Sequence, residues 1–487
     1  MNQPSFQALV TTALTAGLLS VGCTSDADHT PPDLVIQNVN VVDVAGGQVL
    51  EQQSVAVREG RIIRVASGEA VSDESPETSV LDGSGRYLIP GLWDMHVHFR
   101  GGEEISAENE ALLPLYIVNG VTTVRDGGGD ITEHVLDWRD RIAAGELVGP
   151  RILTSGPKLD GPTGGWDGSI RLASTDEVPA AIDSLQALNV DYVKLYDGTM
   201  SREVYLALLE EANARDMIVT GHMPMSVRFG EAVDRGLDAT EHLYYAFKGG
   251  AANEDSVTTA VIEQWDSPES LGFRQTLQLL RAGWDEETAQ RTYAHMVEAG
   301  TAAVPTLHIG EILAHVDTAD HSADPELQYV HPNIEATYAR RVDGARRSSP
   351  QAREDRRDLH QHFVRMAGDM HRADVLLLAG SDAGPFNSFV YPGFALHSEL
   401  EALVEAGLTP AEALRTATVN AARFMRVGSD FGEIGEGFHA DLVLLGSNPL
   451  DDIRNTRDIE AVIVRGDRVF DRDDLESLLS SVRRQDP

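Results

Sequence analysis

One cysteine and three lysines (Lys158, Lys194 and Lys248) in 487 residues set the first limits on this chain. Cys23 has no second thiol to meet, so an intramolecular disulfide is excluded. Positive charge is scarce as well: 39 Lys and Arg stand against 77 Asp and Glu, a formal net charge of −38. Such a surface repels nucleic acid and anionic membranes, which excludes phosphate-backbone binding as a function. The uncharged apolar stretch from Ala8 to Val21 falls short of the ~20 residues a membrane-spanning helix needs.

Hydrophobic residues make up 42% and charged residues 24%, ordinary values for a globular protein. The length is enough for one large catalytic domain and a smaller one. Residues 1–23 read as an export signal: the stretch from Ala8 to Val21 suits a signal h-region. It ends in Ser20-Val21-Gly22-Cys23, which resembles a bacterial lipobox with Cys23 as the lipidated N-terminus. Ser20 stands where Leu is usual, and no Lys or Arg precedes the apolar stretch. Simple secretion with cleavage nearby is the other reading. The expected location is exported, either periplasmic or held at a membrane by lipidated Cys23.

Residues 24–32 form a polar linker, and residues 33–90 carry short β runs such as Leu34-Val-Ile-Gln-Asn-Val39 and Ser54-Val-Ala-Val57, with turn signals at Gly46-Gly47 and Glu59-Gly60. After Pro90 the rhythm changes. Strand-like segments alternate with helical ones: the His96 run, then Val121, Arg151, Tyr192, Met217, Ala239, Ala303 and Val375 each open a short apolar segment. Eight strands with helices between them predict an α/β fold, a (β/α)8 TIM barrel over residues 91–427. Helix-like insertions at 247–300 and 310–372 make it longer than a bare barrel and could cap its mouth. The β pattern returns over residues 428–487, in Ala440-Asp-Leu-Val-Leu-Leu445 and Ala461-Val-Ile-Val464. A discontinuous small β-sandwich domain, formed by the N- and C-terminal segments, follows.

Barrel chemistry sits at the C-terminal ends of the strands. Here those ends carry His98, Lys194, His222, His242 and Asp382. In His96-Val97-His98, residues i and i+2 of a strand point to the same side, so both imidazoles can reach one metal at about 2.0–2.1 Å for zinc. Each residue has a structural alternative: His222 as a buried hydrogen-bonded histidine, Asp382 in Gly380-Ser-Asp-Ala-Gly384 as a helix N-cap. Lys194 is hardest to explain as structure, because it interrupts the apolar run Tyr192-Val193-Lys194-Leu195-Tyr196. A lysine buried there has a lowered pKa and a nucleophilic amine. That amine can add carbon dioxide to give a carbamate able to bridge two cations; a Schiff-base lysine is the rival reading.

These residues resemble the amidohydrolase superfamily, and within it the imidazolonepropionase-like and prolidase-like branch of metal-dependent hydrolases. The resemblance runs over nearly the whole mature chain, through Pro90-Gly-Leu-Trp-Asp-Met-His-Val-His98, Gly120-Val-Thr-Thr-Val-Arg-Asp126, Val193-Lys-Leu-Tyr196, Gly221-His222, Glu241-His242, Gly380-Ser-Asp-Ala-Gly384 and the tail Gly432-Glu-Ile-Gly-Glu-Gly437. It implies two divalent metal ions, zinc being the expected one. His96 and His98 with Asp382 would hold the first, His222 and His242 the second, and a carbamate on Lys194 would bridge them. A metal-bridging hydroxide would attack the substrate, with Asp382 as the proton acceptor. The mononuclear imidazolonepropionase lacks the bridging lysine, so Lys194 argues against that activity. Close relatives often carry Thr-Gly-Gly-His after the third strand; this chain has Thr163-Gly-Gly-Trp166, which cannot titrate but can donate an N–H to substrate. Tyr244 is a further substrate-binding candidate, Arg125 a conceivable anchor for a substrate carboxylate, and His308 either a pocket wall or a lid contact.

The resemblance therefore implies cleavage of amide C–N bonds in small peptides or N-acyl amino acids. Two alternatives stay open: the same site acting on a cyclic amide, lactone or organophosphate ester, and a non-catalytic metal- or solute-binding lipoprotein. The partner expected is a small-molecule substrate, without nucleic acid, and a homo-oligomer is compatible with the sequence.

Overall fold

The computed structural model describes residues 30–68, 75–265, 267 and 270–484. The export signal and Cys23 lie outside the described residues. Among those described, no helix is long and apolar enough to cross a membrane.

The chain folds as an α/β barrel with a separate sheet built from its two terminal segments. Seven barrel strands are Leu92–Val97, Val121–Asp126, Arg151–Thr154, Val193–Leu195, Val219–Gly221, Ala239–Glu241 and Ala302–Val304. Neighbours pair in parallel, as in Thr123↔Arg151, Lys194↔Thr220 and Ala239↔Ala302. The third and fourth strands join where Asp191 N donates to Thr154 O at 2.9 Å. The eighth stave is the segment from Val375 to Ala383. It is too irregular for a full ladder, but isolated parallel bridges Ala303↔Leu377 and Val97↔Ala383 attach it on both sides and close the ring.

Helices cover the barrel because their apolar residues recur on one stripe. In Arg202–Ala214 that stripe is Val204, Tyr205, Leu208, Leu209 and Ala212, all buried, and Ser201 caps the helix by accepting from Val204 N. Each such Leu contributes about 1.5–3 kcal/mol by leaving water. The two insertions are helical: Glu254–Glu263 and Phe273–Ala282 in the first, Ala339–Arg346 and the 23-residue Pro350–Arg372 in the second.

Leu34–Asp43, Gln48–Arg58, Arg61–Ser67, Ser79–Asp82 and Tyr87–Pro90, from before the barrel, join Leu442–Leu445, Ile459–Val464 and Arg468–Asp471, from after it, in one eight-stranded sheet. Its seam is Tyr87–Pro90, antiparallel to Leu442–Leu445 through Ile89↔Val443. Pairing is not uniformly antiparallel, because Leu34–Asp43 runs parallel to both Ser79–Asp82 and Tyr87–Pro90. The period of two in Leu442–Leu445 explains how the sheet is buried on both sides. Leu442 and Leu444 face the sheet's own core, while Val443 and Leu445 join the core shared with the barrel. The barrel is thereby held at its strand-start end, leaving the other end for chemistry.

Candidate functional site

The first strand delivers its histidines differently from a regular i, i+2 pair. Its pairing with the second strand slips between Asp94 and Val97, and the strand ends at Val97, so His98 lies just past it. Such an irregularity re-aims side chains near sites. The His96 and His98 rings end 5.0 Å apart, edge to face. Asp94 anchors the irregularity from below, accepting from Ser381 N at 2.9 Å and Ser381 Oγ at 2.5 Å.

His222 follows Gly221, whose φ is 138° and where a Cβ would lie 2.1 Å from Leu195 O, so only glycine fits between the fourth and fifth strands. His242 and Asp382 both take left-handed backbone, φ 61° and 58°, and so does Thr306 at 51°. For a β-branched threonine this is costly. Three strands thus turn sharply at the same end of the barrel. The turns converge: His96 and His242 have ring centroids 5.2 Å apart, His222 and His242 5.1 Å. Asp382 Oδ1 lies 3.3 Å from both His96 Nε2 and His98 Nε2, and Asp382 Oδ2 lies 4.0 Å from His242 Nε2.

The donor set fits divalent metal. His98, His222 and His242 each have Nδ1 engaged, by Gly128 O at 3.2 Å, Asp197 Oδ1 at 3.0 Å and Thr306 Oγ1 at 2.7 Å. This pattern fixes ring orientation and leaves Nε2 as the ligand atom. Both ring nitrogens of His96 are buried and face carboxylates, Nδ1 toward Glu241 and Nε2 toward Asp382. Ligand atoms of His96, His242 and Asp382 all lie within 4.8 Å of one another. Burial, with Lys194 nearby, lowers His96 to about 4, and burial holds His98 and His242 well below the usual imidazole range. The imidazoles are therefore neutral, as metal ligation requires. Burial pushes Asp382 up, but His96 and His98 more than offset it and keep its carboxyl well below the usual range.

Lys194 is wholly buried on the fourth strand, against the Glu241 carboxylate. Burial, with Arg125 and Lys158 adding repulsion, lowers its pKa far below that of a free lysine. Glu241, which sequence reasoning gave no role, also lies 3.1 Å from His96 Nδ1 and accepts from Arg125 Nη2 at 3.0 Å and Thr220 Oγ1 at 2.8 Å. Arg125 is thus consumed: it is fully buried, and its Nε donates to Met95 O at 2.7 Å. As a carboxylate anchor it is ruled out, since no substrate reaches it.

Asn387 was not legible as a site residue either. It is fully buried, donates to Asp382 Oδ1 at 2.7 Å and to the Asp382 carbonyl, and accepts from Arg100 Nη2 at 3.0 Å. Asp197 is a third omission, although it directly follows Lys194-Leu-Tyr. It holds His222 and accepts from the Tyr245 hydroxyl at 2.8 Å.

A cavity of about 870 Å3 opens above these groups, lined by His222, His242 and Asp382 at its base and by Tyr244, Phe273, Phe363 and Arg341 on its walls. Tyr244 lies on this wall, edge to face with Phe363. Trp166 lies beside the cavity and outside its lining. Arg100 stacks over its ring at 4.2 Å and Lys158 at 4.8 Å. His308 is not part of the wall; its backbone N–H donates to Glu399 Oε2 at 2.7 Å.

The chain belongs to the amidohydrolase family, whose model matches residues 87–469. Among curated proteins it is similar to an adenine deaminase of Ruegeria sp. (strain TM1040), 39% identical over 99 residues, covering 20% of this chain and only 16% of that enzyme. It is similar to the ochratoxinase of Aspergillus niger at 24% identity, across 79% of this chain and 75% of that one. Among solved structures, a Xaa-Pro dipeptidase with bound methionine has the same fold, with a TM-score of 0.66 at 21% identity over 90% of this chain and 99% of that one.

Proposed function

Membership of the amidohydrolase family is the premise from which we propose that this protein is an exported, metal-dependent hydrolase of amide C–N bonds in small peptides or N-acyl amino acids. The reading rests above all on one observation: His96, His98, Lys194, His222, His242 and Asp382 meet at one barrel mouth, with His96 and Lys194 buried among the Glu241 and Asp382 carboxylates. His96, His98 and Asp382 would hold one divalent ion and His222 and His242 a second, with carboxylated Lys194 shared between them. When bound, such ions, zinc being the expected one, polarise a carbonyl and acidify water.

The chain's own groups do the rest. Asp382, ionised and fixed by Asn387, accepts a proton from the attacking water as its oxygen bonds to the amide carbon. The C–N bond then breaks and the same proton passes to the departing nitrogen, so the amine leaves neutral. The neutral amine of Lys194 forms its carbamate by bonding to carbon dioxide and releasing one proton. Tyr244 offers a hydroxyl to the substrate carbonyl or its developing oxyanion. Trp166, with Arg100 and Lys158 over its ring, lies outside the cavity lining and offers no direct contact to substrate there.

A screen of the zinc- or manganese-loaded protein against dipeptides and N-acyl amino acids tests the reading. Release of free amino acid, lost in Asp382→Asn, is expected. Turnover confined to lactones, cyclic amides or organophosphate esters would move it to the alternative. Export is proposed with Cys23 as a lipidated N-terminus, and mass spectrometry of the mature chain checks it.

A further inference from the structure

With Arg125 buried against Glu241, the cavity needs another group to recognise an anionic end of substrate, and one is present. Arg341 is the one Lys or Arg among the residues lining the cavity. It lies on the helix Ala339–Arg346, part of the second insertion. No side chain among the described residues neutralises it: nearby arginines are paired, Arg353, Arg356 and Arg357 all with Asp317, but Arg341 has neither an ion pair nor a side-chain hydrogen bond. It is half-buried. The two carboxylates that line the same cavity are committed elsewhere, Asp197 to His222 and Tyr245, Asp382 to the histidines and Asn387.

Two further observations bear on what Arg341 meets. Arg341 lines the same cavity as Tyr244 and Asp382. Tyr244 itself has no hydrogen-bond partner among the described residues, and its hydroxyl is a second free donor on the wall. The helix is also a positive island on a chain of net charge −38: residues 339–347 hold Arg340, Arg341, Arg346 and Arg347 against Asp343 alone. An anion is drawn to this wall and repelled by most of the remaining surface.

We infer that Arg341 binds the free α-carboxylate of the amino acid that leaves on hydrolysis, so that the protein selects substrates whose scissile amide lies one residue from a carboxy terminus. This rests on the proposed hydrolase reading for the position of the scissile bond. A guanidinium pairs a carboxylate with two parallel hydrogen bonds, and a partly enclosed site strengthens them. Phe273 and Phe363, packed around Tyr244, give the same residue's side chain an apolar and aromatic bed.

The test compares N-acetyl-L-phenylalanine with N-acetyl-L-phenylalaninamide on the full metal-loaded chain, by calorimetric binding and by hydrolysis. Wild type is expected to bind the acid about 10- to 100-fold more tightly than the amide. Arg341→Met should bind both as weakly as wild type binds the amide, and Arg341→Lys should keep part of the preference. Equal binding of acid and amide by wild type, no binding of the acid, or an undiminished preference in Arg341→Met overturns the assignment. The two readings fail separately. Hydrolysis without acid preference removes the anchor and keeps the hydrolase. Arg341-dependent binding without turnover of any acyl amino acid keeps the anchor and removes the hydrolase.

Discussion

Asp382 takes left-handed backbone and faces three histidines, and Asn387 secures it there by gripping both its carboxylate and its carbonyl. If Asp382 shuttles the proton, Asp382→Asn lowers kcat by about 10²- to 10⁴-fold. Asn387→Ala, which only loosens the carboxylate, lowers kcat by roughly 10- to 100-fold with KM little changed. Steady-state kinetics on one amide substrate checks both, and an Asn387→Ala enzyme as fast as wild type contradicts the positioning role. Gly221→Ala should cost about 1–3 kcal/mol in denaturant unfolding, because a Cβ there meets Leu195 O. His96, His98, Lys194, His222, His242 and Asp382 were legible as candidates in sequence because each is a polar residue within or just past a short apolar run. Glu241, Asn387 and Asp197 were not. Their roles depend on contacts across the barrel that no local spacing encodes, and Arg125 read as available only because its partner lies 116 residues away.

At the scale of elements, the strand positions followed from runs of Val, Ile and Leu between turn residues, and the helical insertions from their length. The irregular eighth stave is apolar in sequence, but it is held by bridges and side chains and lacks a full ladder. The kink that places His98 beyond its strand left no mark in the residue pattern. The helix Phe394–Glu405 carries a testable dependence on pH. His397 on it is buried, with Nδ1 2.9 Å from Thr456 Oγ1 and Nε2 3.1 Å from Asn119 O, so it ties this helix to the segment leading back into the terminal sheet. Burial, with Arg457 adding repulsion, lowers its pKa to about 3. The unfolded chain therefore takes up the proton first. The stabilising contribution is complete above about pH 6.5 and falls by about 1.4 kcal/mol per pH unit as pH drops from there toward 3. Urea unfolding at pH 7 and pH 5 should show His397→Gln with a shallower decline than wild type; parallel declines would contradict this.

For the whole molecule, the discontinuous sheet packs at the strand-start end, and the insertions contribute Phe273, Arg341 and Phe363 to the cavity above the histidines. The substrate was not legible in the sequence, and residues lining the cavity, such as Arg341 and Phe363, come from helices far along the chain. If Lys194 organises a two-metal centre, the metal content of the protein depends on it. Elemental analysis of the purified protein should find two divalent ions per chain in wild type, with Lys194→Ala losing metal and amide hydrolysis together while it stays folded by circular dichroism. Two tightly held ions in folded Lys194→Ala, or an active wild type without divalent metal, would rule out a Lys194-organised two-metal centre.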